Sequence, residues 1–150
     1  MPIPRRKITI GAVDKADFPE FELYNLDCRV DTGATSSAIH CQNISIREVN
    51  GEELLSFELL DRKHPQYNKK RYQTRDFIRK TVRSSFGQEE IRYAIRTNIE
   101  LFGKIYETQF TLADRVRMKF PVLLGRKLLR QGFIVDVRKK NLSFNQKQNI

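Results

Sequence analysis

Asp31 is the side chain in this sequence best placed to do chemistry. It follows an alternating run, Tyr24-x-Leu26-x-Cys28-x-Val30, whose apolar residues recur at every second position. That is the pattern of a half-buried strand. The strand delivers a carboxylate into Thr32-Gly33, where glycine permits backbone angles and close approaches that a side chain would obstruct. The stretch that follows, Ala34-Thr35-Ser36-Ser37-Ala38, is small and polar and suits a chain packed closely against something. A carboxylate held on such a turn, beside a hydroxyl and backbone N–H groups, can activate a water molecule as a general base. Asp, Thr and Gly are also ordinary turn residues, because Asp bonds its own backbone. Taken alone, the tripeptide leaves a purely structural turn open.

A second signal lies far downstream. Phe120-Pro121-Val122-Leu123-Leu124-Gly125-Arg126 is a short apolar run ending in Gly-Arg, followed by Lys127-Leu128-Leu129, and Arg126 to Gln131 reads as a single helical segment. In retroviral-type aspartic proteases, an apolar strand ending in Gly-Arg and followed by a short helix packs beneath the catalytic turn. Both elements stand here in that order.

The totals fit a folded, globular chain. At 150 residues it reads most simply as a single domain, residues 1–150, with a core over about 7–138 and a polar tail over 139–150 that is expected to fray. Hydrophobic residues make up 39% and charged residues 31%, which excludes a disordered chain. No apolar run approaches the roughly 20 residues that cross a bilayer, and no apolar segment follows the basic start, so membrane attachment is not expected and a cytoplasmic location is. Cys28 and Cys41 are too few for a disulfide framework. Together with His40 and His64 they match no zinc-ligand spacing, so no metal and no cofactor is expected.

The net charge of +10 calls for an anionic partner. The excess is concentrated between Arg62 and Arg83, where Arg62, Lys63, Lys69, Lys70, Arg71, Arg75, Arg79, Lys80 and Arg83 face Asp76 alone. Such a block is either a solvated loop or a surface for an acidic polypeptide or for nucleic acid such as the ribosome.

These elements imply an all-β chain with one short helix. Strands are expected over 7–13 and 21–30, around Ile44 and Ile46, over 54–60, more weakly over 71–82, then over 91–101, 105–112, 122–124 and 133–137. Asn50-Gly51 is a strong hairpin signal. Asp14 to Glu20 read as a turn broken by Pro19. Arg83-Ser84-Ser85-Phe86-Gly87 reads as the small-residue tip of a second hairpin.

With these residues in hand, the chain resembles the retropepsin-like family often labelled ATP-dependent zinc proteases and associated with ribosomal-protein modification. The resemblance runs from about Ile8 to Val137. It rests on Arg29-Val30-Asp31-Thr32-Gly33-Ala34-x-x-Ser37-Ala38-Ile39-His40, on Val82-Arg83-Ser84-Ser85-x-Gly87-x-x-Glu90-x-Arg92-Tyr93-x-Ile95, and on Asp114-Arg115-x-x-Met118-x-Phe120-x-Val122-Leu123-Leu124-Gly125-Arg126. Where the family commonly has Arg-Thr after Asp-Thr-Gly-Ala, this sequence has Thr35-Ser36. The family label does not follow from the residues, since no phosphate-cradling G-x-x-x-x-G-K-[ST] loop and no H-E-x-x-H is present.

The resemblance implies a retropepsin-like acid-protease β-barrel in which Asp31, Thr32 and Gly33 form the catalytic turn. Two such carboxylates, about 3 Å apart, share one proton because both cannot ionise cheaply at that distance. Asp61, Asp76, Asp114 and Asp136 lack a following Thr/Ser-Gly, so the second carboxylate is expected from another copy of the chain, in a symmetric homodimer. The hairpin over 83–87 would be the flap. Ala34, Thr35, Arg83, Ser84, Ser85, Gly87 and His40 are the expected substrate-binding positions, although a histidine ending a strand is also a common structural residue. The expected activity is aspartic endopeptidase hydrolysis of a peptide or protein. The basic segment favours an acidic or glutamate-rich substrate, as does the family's association with ligases that append glutamates to ribosomal proteins. The rival expectations are a non-catalytic module that binds acidic peptide or ribosomal partners and, third, a zinc-dependent hydrolase.

Overall fold

The computed structural model describes residues 6–83, 86–115 and 117–149. Its eleven strands are β1 (Ile8–Ile10), β2 (Val13–Phe18), β3 (Leu23–Val30), β4 (Ser37–Val49), β5 (Glu52–Leu59), β6 (Tyr72–Thr74), β7 (Ile78–Arg83), β8 (Glu89–Leu101), β9 (Lys104–Ala113), β10 (Val122–Leu124) and β11 (Phe133–Val135). Two helices, α1 (Arg126–Leu129) and α2 (Leu142–Gln148), and one 3-10 turn at Pro19–Phe21 complete the elements of the described residues. A nine-stranded sheet runs in the order β10-β3-β2-β8-β9-β4-β5-β6, with β7 paired to β8, and β1 and β11 form a separate parallel pair. The fold is all-β, as the alternating patterns imply.

Turn chemistry sets the register where the sequence is clearest. Asn50 and Gly51 both adopt positive φ, 54° and 82°, and join Val49 to Glu52 in the β4–β5 hairpin. Phe102 and Gly103, at 54° and 71°, do the same between Leu101 and Lys104. Two successive residues at positive φ match the twist of the flanking strands. The buried faces of these strands bring Phe18, Leu26, Ile39, Phe57, Ile99, Phe110 and Leu124 into one core, with the Phe18 and Phe110 rings edge to face at 5.2 Å.

Three expectations need correction. Asp14–Phe18 is not a turn but most of β2, paired antiparallel with β3. Its alternation was hidden because two of the residues buried along it, Asp14 and Asp17, are charged. Their partners come from the other end of the chain. Asp14 accepts the backbone N–H groups of Ser143 at 2.9 Å and Phe144 at 3.1 Å, and Asp17 takes the Lys147 ammonium at 2.7 Å. The tail is accordingly not frayed: it carries the second helix, α2, whose first N–H groups are satisfied by a carboxylate from β2. The strand expected around Ile44 and Ile46 is much longer, since β4 starts at Ser37, soon after the Asp31 turn.

Strand β10 positions the site. It lies between β3 and β4, parallel to the first (Val122 opposite Cys28) and antiparallel to the second (Val122 opposite Ile39). The connection from β3 to β4 is therefore a short loop at the end of the wedge, and that loop carries Asp31.

Candidate active site

The backbone N–H of Asp31 donates to the carbonyl of Leu124 at 2.9 Å, so the turn begins bonded to β10. Asp31 Oδ1 accepts the N–H of Gly33 at 3.0 Å, and the N–H of Ala34 donates to the Asp31 carbonyl at 3.2 Å. These bonds aim the carboxylate without using up its second oxygen. Thr32, Gly33 and Thr35 are exposed, while Asp31 and Ala34 are half-buried.

The turn is held from below by the Gly-Arg pair. A Cβ on Gly125 would lie 2.6 Å from the carbonyl carbon and oxygen of Ser36, so only glycine lets the two backbones meet. Its N–H donates to Ser37 Oγ at 3.0 Å. Arg126 then clamps the turn three ways. Its backbone N–H donates to Ala34 O at 2.8 Å, Nη1 to Thr32 O at 3.0 Å and Nη2 to Thr35 Oγ1 at 2.9 Å. Thr35 thus turns its hydroxyl toward the support.

Beside the carboxylate, a cleft of about 400 Å³ is lined by Arg29, Val30, Asp31, Thr32, Arg115, Met118, Lys119, Phe120 and Leu123. Three cations share that wall with one acid. Arg115 is half-buried, and its Nε donates to the Phe120 carbonyl at 3.1 Å. Burial pulls its guanidinium below the usual range, against the opposing pull of the Asp31 carboxylate and with the help of Arg29.

A larger cavity of about 850 Å³ adjoins this cleft, sharing Arg115 and Met118 with it; Ile44, Ile91, Tyr93 and Leu112 supply its apolar wall.

A family-model comparison matches residues 9–146 to the RimB-like family, described as retropepsin-like aspartic endopeptidase RimB. The chain belongs to the RimB-like family. Relatives named "Probable alpha-L-glutamate ligase" from Desulfotalea psychrophila and Shewanella pealeana are 34% and 35% identical over 130 and 134 residues. Each match covers 87% of this chain but only 28% of the relative, so the chain spans a little over a quarter of their length. The crystal structure of a protein of unknown function from Legionella pneumophila is similar at a TM-score of 0.66 and 26% identity, covering 90% of this chain and 97% of that one.

Within this RimB-like chain the other expected positions fall into separate groups. Arg83 ends β7 with its backbone opposite Glu89, and Gly87 is exposed at a φ of 80° in the β7–β8 connection. Ser84 and Ser85 lie outside the described residues. The hairpin arm reaches the turn through Lys80, whose Nζ donates to Ser36 Oγ at 3.2 Å; burial, then Lys127, holds that ammonium below its usual range.

His40 is 4% exposed and has both ring nitrogens engaged. Nδ1 accepts the Arg115 backbone N–H at 2.7 Å, and Nε2 lies 2.7 Å from Asp61 Oδ2. Because Nδ1 accepts, Nε2 carries the proton and donates it to Asp61. Arg115 is the site residue that reasoning from the sequence missed. It stood inside the third family block, with nothing nearby in the sequence to mark it as a neighbour of Asp31.

The basic segment is less bare than its count suggests. Lys70 lies 3.3 Å from Glu22, Arg71 4.0 Å from Glu58, Arg75 2.9 Å from Glu52 and Arg79 2.8 Å from Glu53. Three of these acids stand on β5, opposite the basic stretch.

The donor set does not fit zinc. Among the described residues no three His, Cys, Asp or Glu side chains converge on a point where a metal could be held. Cys28 donates to Leu26 O, and burial pushes both thiols up, Cys41 to about 12, which disfavours the thiolate that zinc needs. No helix among the described residues is long and apolar enough to cross a membrane.

Proposed function

We propose that this chain is an aspartic endopeptidase whose active site forms when two copies bring their Asp31 turns together. The observation that carries this reading is the Asp31 turn itself. Its carboxylate is aimed by Gly33, its backbone is fixed by Leu124 and Arg126, and Thr32 and Gly33 remain exposed where a second turn would dock. In the paired state the two carboxylates share one proton. The ionised carboxylate takes a proton from a water, which attacks the scissile carbonyl, and the protonated one donates to the carbonyl oxygen. As the C–N bond of the tetrahedral diol breaks, the proton taken from water passes from the first carboxylate to the leaving amine, and the other carboxylate recovers a proton from a diol hydroxyl. The dyad titrates as one unit.

The substrate we assign is a peptide rich in glutamate. Three cations line the cleft with Asp31, and the same module forms part of proteins named for glutamate ligation. A site in the cytoplasm beside glutamate-modified ribosomal protein fits that substrate. The test compares the wild-type chain with Asp31→Asn on glutamate-rich and neutral peptides between about pH 4 and pH 8, with and without EDTA. Cleavage lost in Asp31→Asn and indifferent to EDTA supports the dyad. Cleavage lost to EDTA would instead support a metal-dependent hydrolase.

A second reading is favoured by the small share of the ligase relatives that the chain spans: a retropepsin-like module that recognises acidic peptide without cutting it. Salt-sensitive binding that survives Asp31→Asn, with no cleavage by wild type, selects that reading.

A further inference from the structure

Three cavities meet at Arg115 and Met118, of which only Arg115 is charged. Arg115 lines the cleft of Asp31, the 850 Å³ cavity beside it, and a pocket of about 160 Å³ that also includes His40, Asp61 and Lys119. A guanidinium at such a junction faces whatever extended chain passes Asp31. Its plane is set from two directions, by the Nε bond to the Phe120 carbonyl and by a backbone tied to His40.

We propose that Arg115 selects an acidic substrate side chain next to the scissile bond, and that His40 and Asp61 are positioning residues that hold it there. This rests on the reading of the Asp31 turn as the cleavage site. The cleft wall is chemically matched to glutamate. Arg29, Arg115 and Lys119 outnumber Asp31, while Met118, Phe120 and Leu123 offer apolar surface to a methylene stem. An arginine fork pairs with a carboxylate through two parallel bonds, which a neutral amide cannot reproduce.

The support behind Arg115 is a relay of bonds that runs from Asp61 through the buried His40 ring. Asp61 Oδ1 accepts the Lys63 N–H at 2.8 Å, which fixes the carboxylate, and its Oδ2 takes the His40 Nε2 proton. That leaves Nδ1 unprotonated, as it must be to accept the Arg115 N–H. The His40 backbone is pinned in turn, its N–H donating to Pro121 O at 2.7 Å. Positioning of this kind acts on where Arg115 sits and leaves the Asp31 turn alone.

The decisive experiment uses paired peptides that differ only by Glu or Gln at the residues flanking the cut. Wild type is expected to favour the Glu peptide in kcat/KM, and Arg115→Met to reduce that preference about tenfold or more. His40→Leu should reduce it similarly, whereas His40→Asn, which keeps an acceptor near the Nδ1 position, should restore most of it. Where His40→Leu does not fold, Asp61→Asn replaces it, since it releases the tautomer. A Glu-over-Gln ratio unchanged in Arg115→Met overturns the assignment. A ratio kept by a folded His40→Leu overturns the positioning role.

Affinity for the same two peptides, measured by calorimetry on the full chain, separates this proposal from the peptidase reading. If wild type cuts neither peptide, that reading fails. The Arg115 assignment still stands when Glu-selective binding is lost in Arg115→Met, and falls when binding shows no such selectivity.

Discussion

Arg126 Nη1 donates to the carbonyl of Thr32 at 3.0 Å across 94 residues of chain. The residue that opens α1, two positions after the β10 wedge, is thereby bonded to the middle of the turn that carries Asp31. Arg126→Ala removes this bond and the one to Thr35 Oγ1 while keeping the backbone bond to Ala34. The expected cost is about 1–2 kcal/mol for two charge-assisted bonds at a partly exposed position. Urea denaturation of wild type, Arg126→Ala and Arg126→Lys would measure it. Lysine keeps the charge but lacks the fork, so its stability should fall between the other two.

Gly125→Ala should be the harsher change, although it adds only a methyl group. The new carbon would sit 2.6 Å from backbone atoms of Ser36, which have no rotamer to escape into. We expect a loss of about 3 kcal/mol or more. A thermal melt equal to wild type would contradict it.

Asp14 and helix α2 should be energetically coupled. Asp14→Ala leaves two N–H groups of α2 without this partner, the Ser143 one buried and the Phe144 one part-buried, for a cost of about 1–3 kcal/mol. Truncation after Asn141 removes the same bonds from the other side. In a double-mutant cycle, Asp14→Ala in the truncated chain should cost much less than in the full one. Additive effects would mean that α2 is not held by Asp14.

The Asp61 carboxylate gives a pH dependence whose sign is fixed. Burial pushes its pKa up, but the Lys63 N–H and the His40 imidazole outweigh that and hold it below the usual range. A carboxylate depressed in the folded state contributes stability that is present above about pH 4 and is lost as pH falls through its folded value. Stability of wild type should therefore decline more steeply than that of Asp61→Asn below about pH 4. Parallel acid-denaturation curves would count against the assigned network.

What the sequence disclosed were features local in origin. The alternation over 91–101 became β8, and Asn50-Gly51 became a turn with both residues at positive φ, because period and turn chemistry are written into neighbouring residues. The Asp-Thr-Gly turn and the Val-Leu-Leu-Gly-Arg run were each visible, and their contact followed from a resemblance. What stayed hidden depends on distant partners. Asp14 and Asp17 look like turn residues until α2 arrives some 130 positions later to use them. The helix itself, Leu-Ser-Phe-Asn-Gln-Lys-Gln, has weak intrinsic preference and no side-chain cap of its own. His40 and Arg115 are 75 residues apart and meet only because β4 and β9 run side by side.

The wedge of β10 between β3 and β4 has a kinetic consequence. A parallel partner so far along the chain closes a long loop, the kind of contact that forms late and slowly. As the chain emerges from the ribosome, strand β3 and the Asp31 turn appear early but have no floor until Val122 to Arg126 follow. A nascent or shortened chain lacking that floor cannot aim its carboxylate. Order of synthesis thus acts as a timer, so the Asp31 turn is assembled only once Val122 to Arg126 have been made.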